Sequence, residues 1–142
     1  MRTPLVLAMA LAGAVGQAEP RAFVGTWTAD LAGRTYVRLE LHETSGTLGG
    51  VLGLGDIHVD AQGAVDDVIK VAGDPTPIID AVFRDGELSF ARKDGNDKDL
   101  FLARRVGDAL QLNFVLTAED RRQLTEAGIP IPKPIPLKRV ER

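Results

Sequence analysis

The chain reads as an all-β protein: a small antiparallel up-and-down β-barrel of about eight strands, with one short C-terminal helix and an extended, proline-rich C-terminal strand. Three observations predict it. Turn signals recur at short spacing from Trp27 to Asp108, at Asp30 to Gly33, Thr44 to Gly46, Asp60 to Gly63, Asp74 to Pro77, Asp85-Gly86, Asp94 to Asp97 and Gly107-Asp108. The segments between them alternate apolar and polar residues, as strands with one buried face do. No helical period competes before Thr117.

The N-terminus has the layout of an export signal. Arg2 supplies a positive charge, Leu5 to Val15 is apolar, and Gly16-Gln17-Ala18 places small residues before a cleavage point. These eleven residues fall short of the roughly 20 needed to cross a bilayer as a helix. Residues 1–18 are therefore read as a signal peptide, and 19–142 as a single barrel domain in a periplasmic or secreted bacterial protein. The other readings are an uncleaved anchor or a buried helix. The chain has no cysteine, so neither a disulfide nor a lipid-carrying cysteine enters the argument. With 142 residues there is room for one core and no second domain. A net charge of −3 argues against a nucleic-acid partner.

Phe23-Val24-Gly25-Thr26-Trp27-Thr28 reads as the first strand. Trp27 is the sole tryptophan, and it is expected to plug one end of the barrel in a structural role. Tyr36 to His42 is the clearest strand, its odd positions apolar and its even positions polar. Leu48 to Gly55 carries glycines at 49, 50, 53 and 55, which permit the coiling a closing barrel needs. This run is not read as a phosphate loop, because the alternating Asp56-Ile57-His58-Val59-Asp60 follows it where a helix should begin.

Asp85-Gly86 implies a two-residue type I′ turn. That turn pairs Arg84 with Glu87, Phe83 with Leu88 and Ala81 with Phe90, and it carries Ile79 and Arg92 onto the same inward face. The next hairpin sets Phe90 against Phe101 and Arg92 against Asp99. A Gly107-Asp108 turn then sets Phe101 against Phe114 and Ala103 against Leu112, and a longer loop there would shift that last register. The expected ligand-facing wall is Phe83, Leu88, Phe90, Arg92, Phe101 and Phe114. Arg92 departs from an otherwise apolar face. It either pairs with Asp99 near solvent or meets the acidic group of a ligand.

Thr117 with Asp120 forms a capping box, so a helix is expected over about 117–127, ended by Gly128 and Pro130. It should lie on the outside of the barrel, held by Leu124 and Ala127. In the tail, 129–140, the four prolines 130, 132, 134 and 136 fall on alternate residues. All missing N–H donors then lie along one edge of an extended strand, leaving the other edge free to pair. This reads as an edge strand or a strap on the barrel, with a free polyproline segment for a partner domain as the alternative.

Gly25-Thr26-Trp27 on a first strand, followed by a meander, a late helix and an extended segment, resembles the calycin group of lipocalins and their avidin-like relatives. The resemblance implies that Trp27 packs across the closed end of the barrel against a late arginine, for which Arg139 is the match. It also implies a ligand inside, which in fatty-acid-binding members meets an arginine as Arg92 would. The Thr-Asp-Tyr motif of lipocalins is absent, and biotin is not expected, because avidins line that site with several tryptophans.

No catalytic group, cofactor or metal set is expected. Ser45 and Ser89 sit in no nucleophile elbow. Asp56, His58 and Asp60 share one strand face but demand no metal geometry. Asp94 to Asp99 places Lys98 where a calcium loop needs an oxygen. The chain is thus read as a non-enzyme that holds an apolar or amphipathic small molecule in a barrel. The alternative is a solid barrel acting through its surface, as an inhibitor or an envelope protein-interaction domain, toward which the low aromatic content of 5% leans.

Overall fold

The computed structural model describes residues 19–140. The expected signal peptide, residues 1–18, lies outside the described residues. After a 3₁₀ turn at Pro20–Phe23 come the strands β1 (Gly25–Leu31), β2 (Arg34–Thr44), β3 (Thr47–Leu54), β4 (Asp56–Val59), β5 (Val65–Lys70), β6 (Thr76–Pro77), β7 (Ile79–Arg84), β8 (Glu87–Asp94), β9 (Asp97–Val106) and β10 (Ala109–Val115). The helix α1 (Ala118–Glu126) and the strand β11 (Ile135–Arg139) complete the chain.

Nine strands form one antiparallel sheet in the order β6-β3-β2-β1-β11-β10-β9-β8-β7. Its two ends, β6 and β7, are consecutive in the chain and separated only by Ile78, whose N–H donates to the Gly50 carbonyl at 3.0 Å. The sheet therefore curls into a nearly closed barrel. β6 and β7 act as two halves of one broken stave, so the wall has the eight staves that nine strands less one give. Leu39, Leu52, Leu110, Leu112 and Leu137, from four different strands, are fully buried inside it.

The local registers follow the turns. Asp85 and Gly86 both take positive φ (55° and 78°), as a type I′ turn requires. Arg84 faces Glu87 and Phe83 faces Leu88. Phe90 faces Phe101, Arg92 faces Asp99, and Phe114 faces Phe101. The expected pairing of Ala81 with Phe90 fails, and with it the common face of Ile79 and Arg92. The ladder shifts between Ile79 and Val82, so Ile79 faces Ala91 and not Arg92. Asp80 and Ala81 share the place opposite Phe90, with Asp80 at φ 55°. The extra residue of this bulge reverses the parity beyond it.

Asp56 to Asp60 does not continue the meander. β4 and β5 make a separate two-stranded ribbon, folded over the end of the barrel opposite Trp27. Its Val68 is buried in the core, with Ile57 and Val65 packed against it. Thr35 accepts the Ala72 N–H at 2.9 Å, and at the ribbon tip Gly63 accepts the Lys133 N–H at 2.9 Å. Gly53 in β3 and Gly55 just after it serve this crossing as well as coiling: a Cβ on Gly53 would lie 2.8 Å from the Gly73 carbonyl oxygen, and one on Gly55 2.1 Å from that of Lys70.

The tail is not an edge strand. β11 lies between β10 and β1 and closes the wall. The proline parity explains how. Val140 donates to the Thr26 carbonyl at 2.7 Å, so even-numbered N–H groups point toward β1. Prolines 130 to 136 remove those donors, and β11 pairs with β1 only at Lys138 and Arg139. Toward β10 it pairs through Ile135, Pro136 and Leu137. Helix α1 has the expected capping box, with Asp120 N–H donating to Thr117 Oγ1 and Thr117 N–H donating to Asp120 Oδ2, both at 3.0 Å. None of its residues is buried.

Candidate functional site

The inward wall at the barrel mouth is aromatic. Phe90 stacks on Phe101 with ring centres 5.3 Å apart, and Phe101 meets Phe114 at 5.6 Å. Each follows from a cross-strand pair in register. Phe83 and Leu88 belong elsewhere. Phe83 stands edge-on to Phe23 at 5.2 Å, near the closed end, and Leu88 is fully buried among core side chains. The six expected wall residues thus divide. Phe90, Arg92, Phe101 and Phe114 gather at the mouth, while Phe83 and Leu88 fill the opposite half.

Arg92 is paired with Asp99 across β8 and β9 and lies behind it, so that Asp99 lines the groove under α1 and Arg92 does not. Its Nη2 approaches Asp99 Oδ2 at 3.4 Å, with the Arg92 side chain 18% exposed and that of Asp99 43% exposed. The Arg92 Nε is buried and has no hydrogen-bond partner. Leaving a buried donor unpaired costs about 1–3 kcal/mol, more on a charged group. Asp99 is held at the end of its reach and does not satisfy the fork of donors that a guanidinium carries.

Beside this pair a half-open groove of about 830 Å³ runs between the barrel rim and α1. Phe101, Phe114 and Asp99 line it, as do Leu54 from β3 and Leu124 from α1. Phe90 lies behind Phe101 and does not line it. The helix forms the roof without being packed down: Leu124 is half-buried, and Ala127 and Ile129 are exposed. Asp97, Lys98 and Asp120 supply the polar rim. Lys98 is held by Asp80 at 2.9 Å, and Asp120 by its own helix cap. Leu54, Leu100 and Ile129 were not expected here. Leu54 ends β3 and Ile129 lies in a connection, where period carries no information about direction, and Leu100 turns away from the inward Phe101 and meets the groove from the rim.

The other polar motifs have structural roles. Asp60 Oδ1 accepts the N–H groups of Gln62 and Ala64 at 2.9 and 3.0 Å, closing its own turn. His58 Nδ1 lies 2.6 Å from Asp66 Oδ1 on the neighbouring strand. This hydrogen bond, with the charge of Asp66, raises the imidazole pKa above its ordinary value. Among the described residues no group of acidic, histidine or cysteine side chains has the arrangement to hold a metal. Asp94 to Asp97 is a plain hairpin end.

At the closed end Trp27 is fully buried. Its Nε1 donates to the Phe23 carbonyl at 2.9 Å. Two guanidiniums lie against its ring, Arg139 at 4.5 Å and Arg105 at 5.3 Å from the centre. Among the described residues no helix is long and apolar enough to cross a membrane. No family model, curated protein or solved structure matches the chain, so the functional reading rests on this geometry alone.

Proposed function

We propose that this chain is an exported binding protein that takes an amphipathic small molecule at the mouth of the barrel. The ligand's apolar body lies along Phe101, Phe114 and Leu124 under α1, and its acidic head reaches Arg92. The observation that carries this is the buried, unpartnered Nε of Arg92 beside an aromatic wall. A carboxylate would satisfy the guanidinium better than Asp99 does at 3.4 Å. The groove volume of about 830 Å³ suits a small-molecule site. Deeper in the barrel the space is taken by Leu39, Leu52, Leu88, Leu110 and Leu137, so the ligand sits at the mouth and not along the whole axis. The stacking of Arg139 on Trp27 supports the calycin relationship, which belongs to the same proposal, and the layout of residues 1–18 supports a periplasmic or secreted location.

A second reading has its own support. Leu100 and Val115 pair across β9 and β10 on the side away from the inward phenylalanines, at the outer rim of the groove. Leu100 is 43% and Val115 42% exposed. A barrel acting through that face as an inhibitor or envelope interaction domain would need no ligand.

Calorimetry with dodecanoic acid and its methyl ester separates the two. Arg92→Met is expected to weaken the acid by about tenfold or more, equivalent to at least about 1.4 kcal/mol, and to leave the ester unchanged. Equal affinity of acid and ester for the unmodified protein removes Arg92 from the site. Absence of saturable binding by either leaves the surface reading.

A further inference from the structure

At the closed end of the barrel the described residues place three cations against a single carboxylate, Asp108. Arg105 donates Nη1 to the Ala22 carbonyl at 2.7 Å, Nη2 to Gly107 O at 2.8 Å and Nε to Ala109 O at 3.2 Å. Arg139 donates Nη2 to the same Ala22 carbonyl at 2.9 Å. Two guanidiniums are therefore held within reach of a single acceptor, both against the Trp27 ring. Arg105, Lys138 and Arg139 take part in none of the ion pairs among the described residues. Together with Asp108, Ala22 and Ala109 they line an open cleft of about 730 Å³. Three cations face one carboxylate there, in a chain whose net charge is −3.

The ring face and the backbone carbonyls attract the two guanidiniums, but they do not cancel their mutual repulsion. Each guanidinium keeps N–H groups unused by those carbonyls, and Arg139 is exposed. Planar forks of donors with an ammonium beside them match the oxygens of a phosphate group. The carbonyl contacts pin Arg105 before any ligand arrives, so little side-chain order remains to be imposed on binding.

We propose that this cleft between Arg105, Lys138 and Arg139 binds a phosphate group, presented either as a soluble anion or as a lipid headgroup. The site is independent of the mouth groove, which lies at the opposite end of the barrel.

Trp27 reports on it directly, because the two arginines lie against its ring and it is the sole tryptophan in the chain. Inorganic phosphate is titrated at constant ionic strength, with sodium chloride as the balancing salt, while Trp27 emission is followed. The expected result is a saturating change with phosphate and none with chloride. Lys138→Gln, which leaves both ring contacts in place, should keep the starting emission and melting temperature and weaken the phosphate response by about fivefold or more. In a parallel arm, the protein is sedimented with phosphatidylcholine vesicles with and without phosphatidylglycerol. Retention on the anionic vesicles that Lys138→Gln abolishes assigns the phosphate to a lipid surface, and a phosphate response without retention assigns it to a soluble anion. No response in either arm overturns the proposal. So does a response that chloride equals or that Lys138→Gln leaves intact.

Discussion

Arg139 lies over the ring of Trp27 at 4.5 Å because the two residues are paired across β1 and β11. One contact thus joins the first strand of the barrel to the last. Trp27→Ala removes a fully buried indole together with the surface on which two arginines rest. It is expected to cost about 3–5 kcal/mol in urea denaturation. Emission of the folded protein should be blue-shifted and resistant to acrylamide, and red-shifted, readily quenched emission would contradict the burial.

The ribbon tip meets the tail where a side chain does not fit. Gly63 has φ +88°, and a Cβ there would lie 2.2 Å from the Ile131 carbonyl oxygen. Gly63→Ala should destabilise by about 1–3 kcal/mol and increase hydrogen exchange at the Lys133 amide, which donates to Gly63. Gly95→Ala is the control. Its φ is +65° but open space surrounds it, so it should show only the backbone cost of about 1–2 kcal/mol and leave Lys133 protected.

His58 makes the ribbon sensitive to pH. Its pKa is raised first by the hydrogen bond to Asp66, then by the charges of Asp66, Asp67 and Asp60. A raised folded value means that the pair's contribution is complete below the ordinary histidine pKa of about 6.5. It is lost as pH rises through the higher folded value. His58→Gln should therefore lower the melting temperature at pH 5 and leave it unchanged at pH 9. An equal effect at both would show that the ion pair is not the cause.

Export is tested at the N-terminus. Cleavage after Ala18 yields a chain beginning at Glu19, which mass spectrometry of the protein recovered outside the cytoplasm should show. A chain retaining Met1 in the membrane fraction would count against the signal-peptide reading.

What could be read from the chain alone was whatever neighbours in sequence decide. A two-residue turn such as Asp85-Gly86 sets the pairing of the strands it joins, and a run of strict alternation carries that pairing onward. Phe90, Phe101 and Phe114 therefore met as expected, and Arg92 met Asp99. The Thr117–Asp120 cap and the proline parity of the tail are local in the same sense. The tertiary structure decided the rest. The bulge at Asp80 and Ala81 was invisible because either parity keeps apolar residues in that stretch. The departure of β4 and β5 from the wall, and the entry of β11 between β1 and β10, depend on contacts between residues far apart in the chain. Gly63 with Ile131 and Trp27 with Arg139 are two of them. The mouth groove belongs to the same class, since Leu54, Phe114 and Leu124 come from three separate elements. Turns and alternation act over a few residues through backbone hydrogen bonds. Closure is selected by how much apolar surface the whole barrel buries at once, and no local pattern encodes that sum.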